Sequence, residues 1–560
     1  MCVLIWDLEN WDKVDLFLIS MKPSRILLVL SIVALSLPNV FLFFTEQMPL
    51  LARICNVVLP VAVYAWGMTL NRQVGKAFLW FSPLLFFAAF QIVLLYLFGN
   101  SVIAVDMYLN LVTTNTTEVG ELLRNIYPSI IFVVIVYLPL LVWSVYSLKN
   151  DYDDESFRMC IKRWAKRVFL LGVAMLVACY VMYKDYEIER NLYPVNVLYN
   201  VWLAVEREIK IKDYYHTSHD FTFEAESVHD ANKDEIYVLV IGETARVANF
   251  GLYGYERNTT PLLGSRDDLI VFSNAFTQSN TTHKSVPMIM SAVSAENFED
   301  IYFQKGIFTA FKEAGFNTAF FSNQRRNDSF IDFFGHEADE VIFIKDSLPD
   351  ESNVCDERLL DLVERYLKKN NSGKRFIVLH TYGSHFEYSE RYSSDKAYYK
   401  PDRCTNASPQ MRDVLVNAYD NSIRATDELL YNLIEMIDAQ GDVSAVMYVS
   451  DHGEDIYDDS RNLFLHASPI PSEYQLHVPL IVWTSEKYGT TYPNVSYNLM
   501  MNKDESVAAN LAVFHTMLDM AGIASPYKKD DCALSSEDFE PSVERTYLDD
   551  HNRLVTNFKQ

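Results

Sequence analysis

Five long apolar runs crowd the first third of the chain, and they constrain the fold more than any other feature. They cover about residues 25–45, 51–70, 77–98, 126–147 and 168–184. A helix that crosses the hydrocarbon core of a bilayer needs roughly 20 mostly apolar residues. Each run meets or approaches that length, so residues 1–184 are expected to form a membrane domain of five helices. Asp7, Glu9 and Asp12 precede the first run, which a cleavable signal peptide would not tolerate.

Positive charge sets the orientation of such helices, because Lys and Arg collect in cytoplasmic loops. Lys22 and Arg25 precede the first run, and Arg72 and Lys76 join the second to the third. Lys149, Lys162, Arg163, Lys166 and Arg167 lie between the fourth and fifth. The loop at 99–125 is acidic instead, with Asp106, Glu118 and Glu121 against Arg124, and is expected outside. An odd number of spans then exports everything after residue 185.

Residues 185–234 read as a connector with short amphipathic helices. From residue 235 onward, apolar runs alternate with helical patterns. Strands are expected at 236–241, 317–321, 375–380, 444–450 and 478–483, and helices near 283–293, 306–314, 356–369, 409–439 and 505–521. That alternation predicts an α/β domain over 235–560, with a mainly parallel sheet flanked by helices. The formal net charge of −25 argues against nucleic acid as a partner, since phosphate backbones require Lys and Arg. Cys355, Cys404 and Cys532 form no metal-binding pattern; in an exported domain, Cys355–Cys404 is the pair expected to bridge.

Ligands of such sheets gather at the carboxyl ends of the strands. Chemistry-bearing residues stand at those ends here. Glu243 follows VLVIG, His385 closes HTYGSH, Asp451 and His452 open DHGED after VMYVS, and His466 lies in NLFLHASP. Carboxylate oxygens with imidazole nitrogens form a ligand set for zinc, or less favourably manganese. Glu243, Asp451 and His452 supply three ligands. A threonine hydroxyl completes the set and becomes a nucleophile when a metal lowers its pKa. Thr281 and Thr282 both qualify; Thr282 is preferred because it stands at the expected start of a helix.

IGETAR with LYGYERNTTP, then SDHGED and LHASP, resembles the membrane-bound phosphoethanolamine transferases of the alkaline phosphatase superfamily. The resemblance spans nearly the whole chain. It implies a five-helix membrane domain and an exported sulfatase-like domain, in the inner membrane of a bacterium with the catalytic part in the periplasm. Phosphatidylethanolamine is the implied donor, and lipid A or another envelope glycan the implied acceptor. By that likeness Glu243, Thr282, Asp451 and His452 match the zinc ligands, with Thr282 the nucleophile, and His385 and His466 match histidines that contact a second zinc or the phosphate. Asn110, Thr114 and Glu118, spaced i, i+4, i+8, match residues that hold the ethanolamine head group. Where relatives place a serine and a lysine near the phosphate, this chain has SNQRRND, so Gln324, Arg325 or Arg326 is expected to take that contact.

Three alternatives compete. A phosphoglycerol transferase of the lipoteichoic acid synthase type would keep the metal ligands, and the Asn110, Thr114 and Glu118 triplet argues against it. A sulfatase needs Cys or Ser in a C/S-x-P-x-R context, which residues 279–290 lack. A non-catalytic membrane-anchored binding protein would not need the intact set of Glu243, Thr282, Asp451 and His452.

Overall fold

The computed structural model describes residues 22–98, 102–108, 116–149, 153–348, 354–404 and 406–556. By its contacts the chain divides into two compact units. One comprises Met1–Ile103 and Ile126–Trp202, the other Ala104–Asn125 and Leu203–Gln560.

The first unit is helical: α1 (Pro23–Thr45), α2 (Leu50–Met68), α3 (Val74–Trp80), α4 (Ser82–Phe98), the part of α5 (Thr116–Ser147) from Ile126 onward, and α6 (Glu155–Met182). Within it α1, α2, the Ile126–Ser147 part of α5, and α6 are each long and apolar enough to cross a membrane. The span expected at 77–98 is instead a broken pair. Helices α3 and α4 meet at Phe81 with a bend of 62°, and count as a fifth span only when taken together. Pro83 supplies the reason, since its ring has no N–H and clashes with the carbonyl four residues earlier, at Leu79. In α2 and α6, Ala52 and Cys55 share a small buried cluster with Cys179. Many large side chains on α5 and α6 remain exposed, among them Ile135, Val142, Leu170 and Val181, as a lipid-facing surface requires. After α6 comes a single turn at Ile188–Asn191, then α7 (Val195–Thr217).

The second unit is built on a seven-stranded sheet. Its strands are β1 (Glu235–Gly242), β2 (Leu269–Phe272), β3 (Asn317–Ser322), β4 (Glu340–Phe343), β5 (Lys374–His380), β6 (Val443–Ser450) and β7 (Leu480–Thr484). They lie in the order β2–β7–β6–β1–β5–β3–β4. β1 runs parallel to both β5 and β6, and β3 runs parallel to β5 and β4. Only β7 opposes its neighbours, β6 and β2. The sheet is thus mainly parallel with one reversed strand.

Every residue of β1 is buried, which explains its unbroken apolar run: helices cover both faces of the sheet. Tyr237, Leu239 and Ile241 enter one core with Phe376, Val378 and Met447. Ile236, Val238 and Val240 enter the other, with Leu359, Val363 and Leu433 from the covering helices. The bridge expected between Cys355 and Cys404 is not formed; both thiols are free. Cys355 borders a polar cavity beside Asp356 and Arg391, whereas Cys404 packs against the apolar core that holds Val238.

Phe376 stacks on Phe311 at 3.7 Å between ring centroids and is fully buried. Replacing it with alanine should cost about 3–5 kcal/mol, the usual range for a truncated core phenylalanine. Urea denaturation checks this: the midpoint should fall while the slope stays the same.

Candidate active site

Register brings the site together. In the parallel pair β1–β6, Gly242 lies opposite Ser450, so the next residues, Glu243 and Asp451, emerge side by side. Asp451 N–H donates to Gly242 O at 3.0 Å and closes the two strand ends against each other. Glu243, Asp451 and His452 are all essentially buried. Oδ1 of Asp451 accepts from Thr244 N–H at 3.0 Å and His452 N–H at 2.7 Å. His452 Nδ1 meets Gly453 O at 3.0 Å, which fixes the proton on Nδ1 and leaves the Nε2 lone pair free.

Thr282 is the first residue of the next helix, α8 (Thr282–Ile289). Its Oγ1 lies 3.2 and 3.3 Å from the two Glu243 oxygens and 3.1 Å from His452 Nε2. The Thr281 hydroxyl turns aside to Ser279 at 3.1 Å. Two bonds behind α8 hold it there. Ser285 Oγ donates to Asp451 O at 2.5 Å, and Asn510 Nδ2 donates to Ser285 Oγ at 2.8 Å.

Glycine is required at two places around this cluster. Gly383 has a φ of +49°, and a Cβ there would stand 2.5 Å from Glu243 O. A Cβ on Gly453 would stand 2.1 Å from Tyr474 O. The second position explains the glycine of Asp-His-Gly-Glu: the chain passes too close to another backbone for a side chain.

Electrostatically the cluster is incomplete. Burial, then the neighbouring charge of Asp451, pushes the Glu243 carboxyl up to about 7. Burial pushes Asp451 up to about 7 as well, and His452 down to about 3. Oδ2 of Asp451 accepts no hydrogen bond and faces His452 Nε2 at 3.2 Å. Ligand atoms of Glu243, Asp451 and His452 all lie within 4.8 Å of one another. Ligand atoms that converge on one hydroxyl, with Oδ2 of Asp451 left without a donor, are what a divalent cation takes, and the donor set suits zinc.

His466 and His385 stand beside the cluster. The His466 ring centroid lies 4.3 Å from that of His452 and 6.0 Å from that of His385. His466 Nδ1 pairs with Glu454 Oε2 at 2.9 Å, and the other Glu454 oxygen accepts from Tyr388. Burial alone would lower the His466 pKa; the bond and charge of Glu454 outweigh it and raise it. His385 Nδ1 donates to Phe386 O at 2.7 Å, and burial followed by the Arg391 charge holds its pKa well down.

Of the three residues expected at a phosphate, only Gln324 reaches the cluster. Its Nε2 donates to Glu243 Oε2 at 3.1 Å and Thr381 O at 2.9 Å. Arg325 instead donates to Leu348 O and Arg326 pairs with Asp346, because those partners lie on the segment after β4. Asn110 and Thr114 lie outside the described residues. Glu118 falls in α5, and its side chain is likewise outside them.

The sulfatase family profile matches residues 235–523. The chain belongs to the sulfatase family. Its relatives include Kdo(2)-lipid A phosphoethanolamine 7''-transferase of Escherichia coli K12, 29% identical over 338 residues, 58% of each protein. Phosphoethanolamine transferase EptA of the same strain is 27% identical over 521 residues, 88% of this chain and 89% of that one. Among solved structures, the integral membrane lipooligosaccharide phosphoethanolamine transferase A from Neisseria meningitidis has the same fold, with a TM-score of 0.71 at 20% identity, over 90% of this chain and 97% of that one. The C-terminal periplasmic domain of Escherichia coli EptC, solved in complex with Zn, aligns with a TM-score of 0.54 at 23% identity, over 59% of this chain and 94% of that one.

In this sulfatase-family chain, the residues of IGETAR and GYERNTTP that are not at the cluster frame it. Arg246 is 2% exposed. Its guanidinium binds Asp458 at 2.6 and 3.0 Å and Glu454 O at 2.7 Å, and its Nε donates to Asn249 at 2.6 Å. Asn249 continues to Asp420 at 2.6 Å, and Arg257 meets the same aspartate at 2.9 Å. The sequence offered no sign of these partners, nor of Glu454 behind His466, because an acid after a glycine reads as turn chemistry.

Arg246→Ala should therefore cost about 1–3 kcal/mol, since it leaves Glu454 O and Asn249 without their donor and Asp458 with Arg412 as its remaining ion pair. The double variant Arg246→Ala/Asp458→Ala should recover part of that loss. Thermal melts of the single and double variants measure both.

Proposed function

We propose that this chain is a membrane-anchored phosphoethanolamine transferase that carries phosphoethanolamine from phosphatidylethanolamine to lipid A or another envelope glycan. The observation that carries the reading is the convergence of Glu243, Asp451 and His452 on the Thr282 hydroxyl. Relatives named as phosphoethanolamine transferases support it. Four or five helices able to cross a membrane supply the anchor. The distribution of Lys and Arg supports export of the sheet-bearing unit, and the likeness to the transferases supports a periplasmic catalytic unit anchored in a bacterial inner membrane.

Glu243, Thr282, Asp451 and His452 hold a zinc ion in this reading. Zinc bound there would lower the pKa of the Thr282 hydroxyl and offset negative charge on the phosphoryl oxygens. Thr282 Oγ1 attacks the phosphorus of the donor. The new Oγ1–P bond replaces the bond from phosphorus to the glycerol oxygen, and diacylglycerol leaves with the proton. In the second step an acceptor oxygen forms a bond to phosphorus, and Thr282 regains its hydroxyl. The α8 N-terminus favours the charge that develops in both steps. His385 and His466 contact the phosphoryl group or a second zinc, with Glu454 orienting His466. Asn110, Thr114 and Glu118 receive the ethanolamine group, the carboxylate pairing with the ammonium.

Thr282→Ala should reduce transfer by at least about a thousandfold, because no other residue takes the covalent intermediate. Zinc content should stay substantial, since three ligands remain. Mass spectrometry of lipid A and glycans, with metal analysis of the purified variant, reads both. Normal turnover in that variant would exclude Thr282 as the nucleophile. Feeding phosphatidylethanolamine or phosphatidylglycerol labelled in the head group tests the donor: only the ethanolamine label should appear on the acceptor.

A further inference from the structure

Arg53 stands in the first turn of α2, close in sequence to the end of α1 that is remote from Lys22 and Arg25. Lys and Arg collect at the cytoplasmic ends of membrane helices, so a cation at the other end requires a reason. The ion pairs of the helical unit, among the described residues, join Lys22 and Arg25 to Asp154, Arg158 to Asp153 and Arg190 to Glu187. None of them takes Arg53. Its guanidinium lies over the Phe43 ring, 5.6 Å from the centroid, and its Nε is buried with no hydrogen-bond acceptor.

Arg53 lines a cleft of about 210 Å³ with Asn39, Phe43, Met48, Asn56 and Asn191. Hydrogen bonds fix the walls of this cleft. Asn39 is 1% exposed, and its Nδ2 donates to Asn56 O at 2.9 Å and Tyr193 O at 2.8 Å. Asn56 Nδ2 donates to Asn191 O at 2.7 Å, and its Oδ1 accepts from Tyr186 OH at 2.6 Å. Two carbonyls on Nδ2 set the Asn39 amide in one direction, and its Oδ1 is left buried without a donor. Buried polar atoms cost free energy while unpaired. One cleft thus holds a cationic N–H that lacks an acceptor and a carbonyl oxygen that lacks a donor.

We propose that this cleft is a phospholipid site: the Arg53 guanidinium takes the phosphodiester, and Asn39 Oδ1 accepts a hydrogen bond from an amine or hydroxyl of the same head group. A guanidinium is suited to phosphate oxygens, to which it presents charge and paired N–H groups together. The position of the cleft fits such a ligand. It lies where α1 ends and α2 begins, the level at which helices of spanning length reach the lipid head groups. Phe44, Leu50 and Ile54, next to it in sequence, are exposed and offer an apolar surface to acyl chains. The site lies within the helical unit and uses none of the residues proposed for transfer.

The test uses the full-length protein in detergent micelles and a phosphatidylethanolamine with a photoactivatable group beside its head group. Labelled peptides, identified by mass spectrometry, should include residues 39–56. In Arg53→Met that labelling should fall about tenfold, the worth of one lost charge-assisted hydrogen bond. Arg53→Lys should keep more of it. In the parent, unlabelled phosphatidylethanolamine and phosphatidylglycerol should compete for the site. Phosphatidylcholine, whose quaternary ammonium has no N–H for Asn39, should compete poorly. No label on residues 39–56 of the parent, or undiminished label in folded Arg53→Met, overturns the proposal. So does equal competition by phosphatidylcholine, or displacement by inorganic phosphate, which would mark a site for a free anion. Should Arg53→Met fail to fold, the competition series in the parent decides alone.

Discussion

Two carboxylates at adjacent strand ends dominate the energetics of the catalytic end of the sheet. The parallel register of β1 and β6 fixes their neighbourhood: with Gly242 opposite Ser450, Glu243 and Asp451 have nowhere else to go. Like charges with ligand atoms no more than 4.8 Å apart repel by roughly 3–4 kcal/mol at the effective dielectric of a protein. Burial adds to that, and both carboxyls rise to about 7. A divalent cation reverses the sign of the whole interaction. The cluster is therefore stable as a set of ligands and strained as a set of ionised acids, the signature of a site shaped around a positive charge.

The surroundings keep that strained set in one geometry. One oxygen of Asp451 is occupied by two backbone N–H groups, so only Oδ2 faces the cluster. Thr244 and Gln324 each donate to Glu243, and Ser384 N–H holds its carbonyl at 2.9 Å. His452 is oriented by Gly453 O in the same way. Partners of this kind fix the orientation of ligands and cost affinity when removed. The Arg246 network then ties the loop after β1 to the loop after β6, so the two carboxylates are braced from outside as well as across the sheet.

Much of this was legible in the sequence, for a reason that also marks its limits. β1, β5 and β6 are buried on both faces and so appear as unbroken apolar runs, and a polar residue directly after such a run stands out. Glu243, Asp451 and His452 were found that way. The edge strand β4 and the short β2 went unrecognised, because strands of four half-buried residues lack the same contrast. Thr281 and Thr282 are both hydroxyls at one helix start, and only the direction of the first turn separates them. Arg325 and Arg326 looked like phosphate ligands by charge, yet their partners lie on a segment that follows a strand the sequence did not reveal. The broken third helix was hidden because four other prolines, Pro38, Pro60, Pro128 and Pro139, sit inside continuous helices.

The division of the chain adds a constraint that the order of elements conceals. Ala104–Asn125 is flanked in sequence by apolar helices, yet its contacts assign it to the sheet-bearing unit. The buried ion pairs of Asp106 with Arg207 and Lys284, all three in that unit, supply a physical cause.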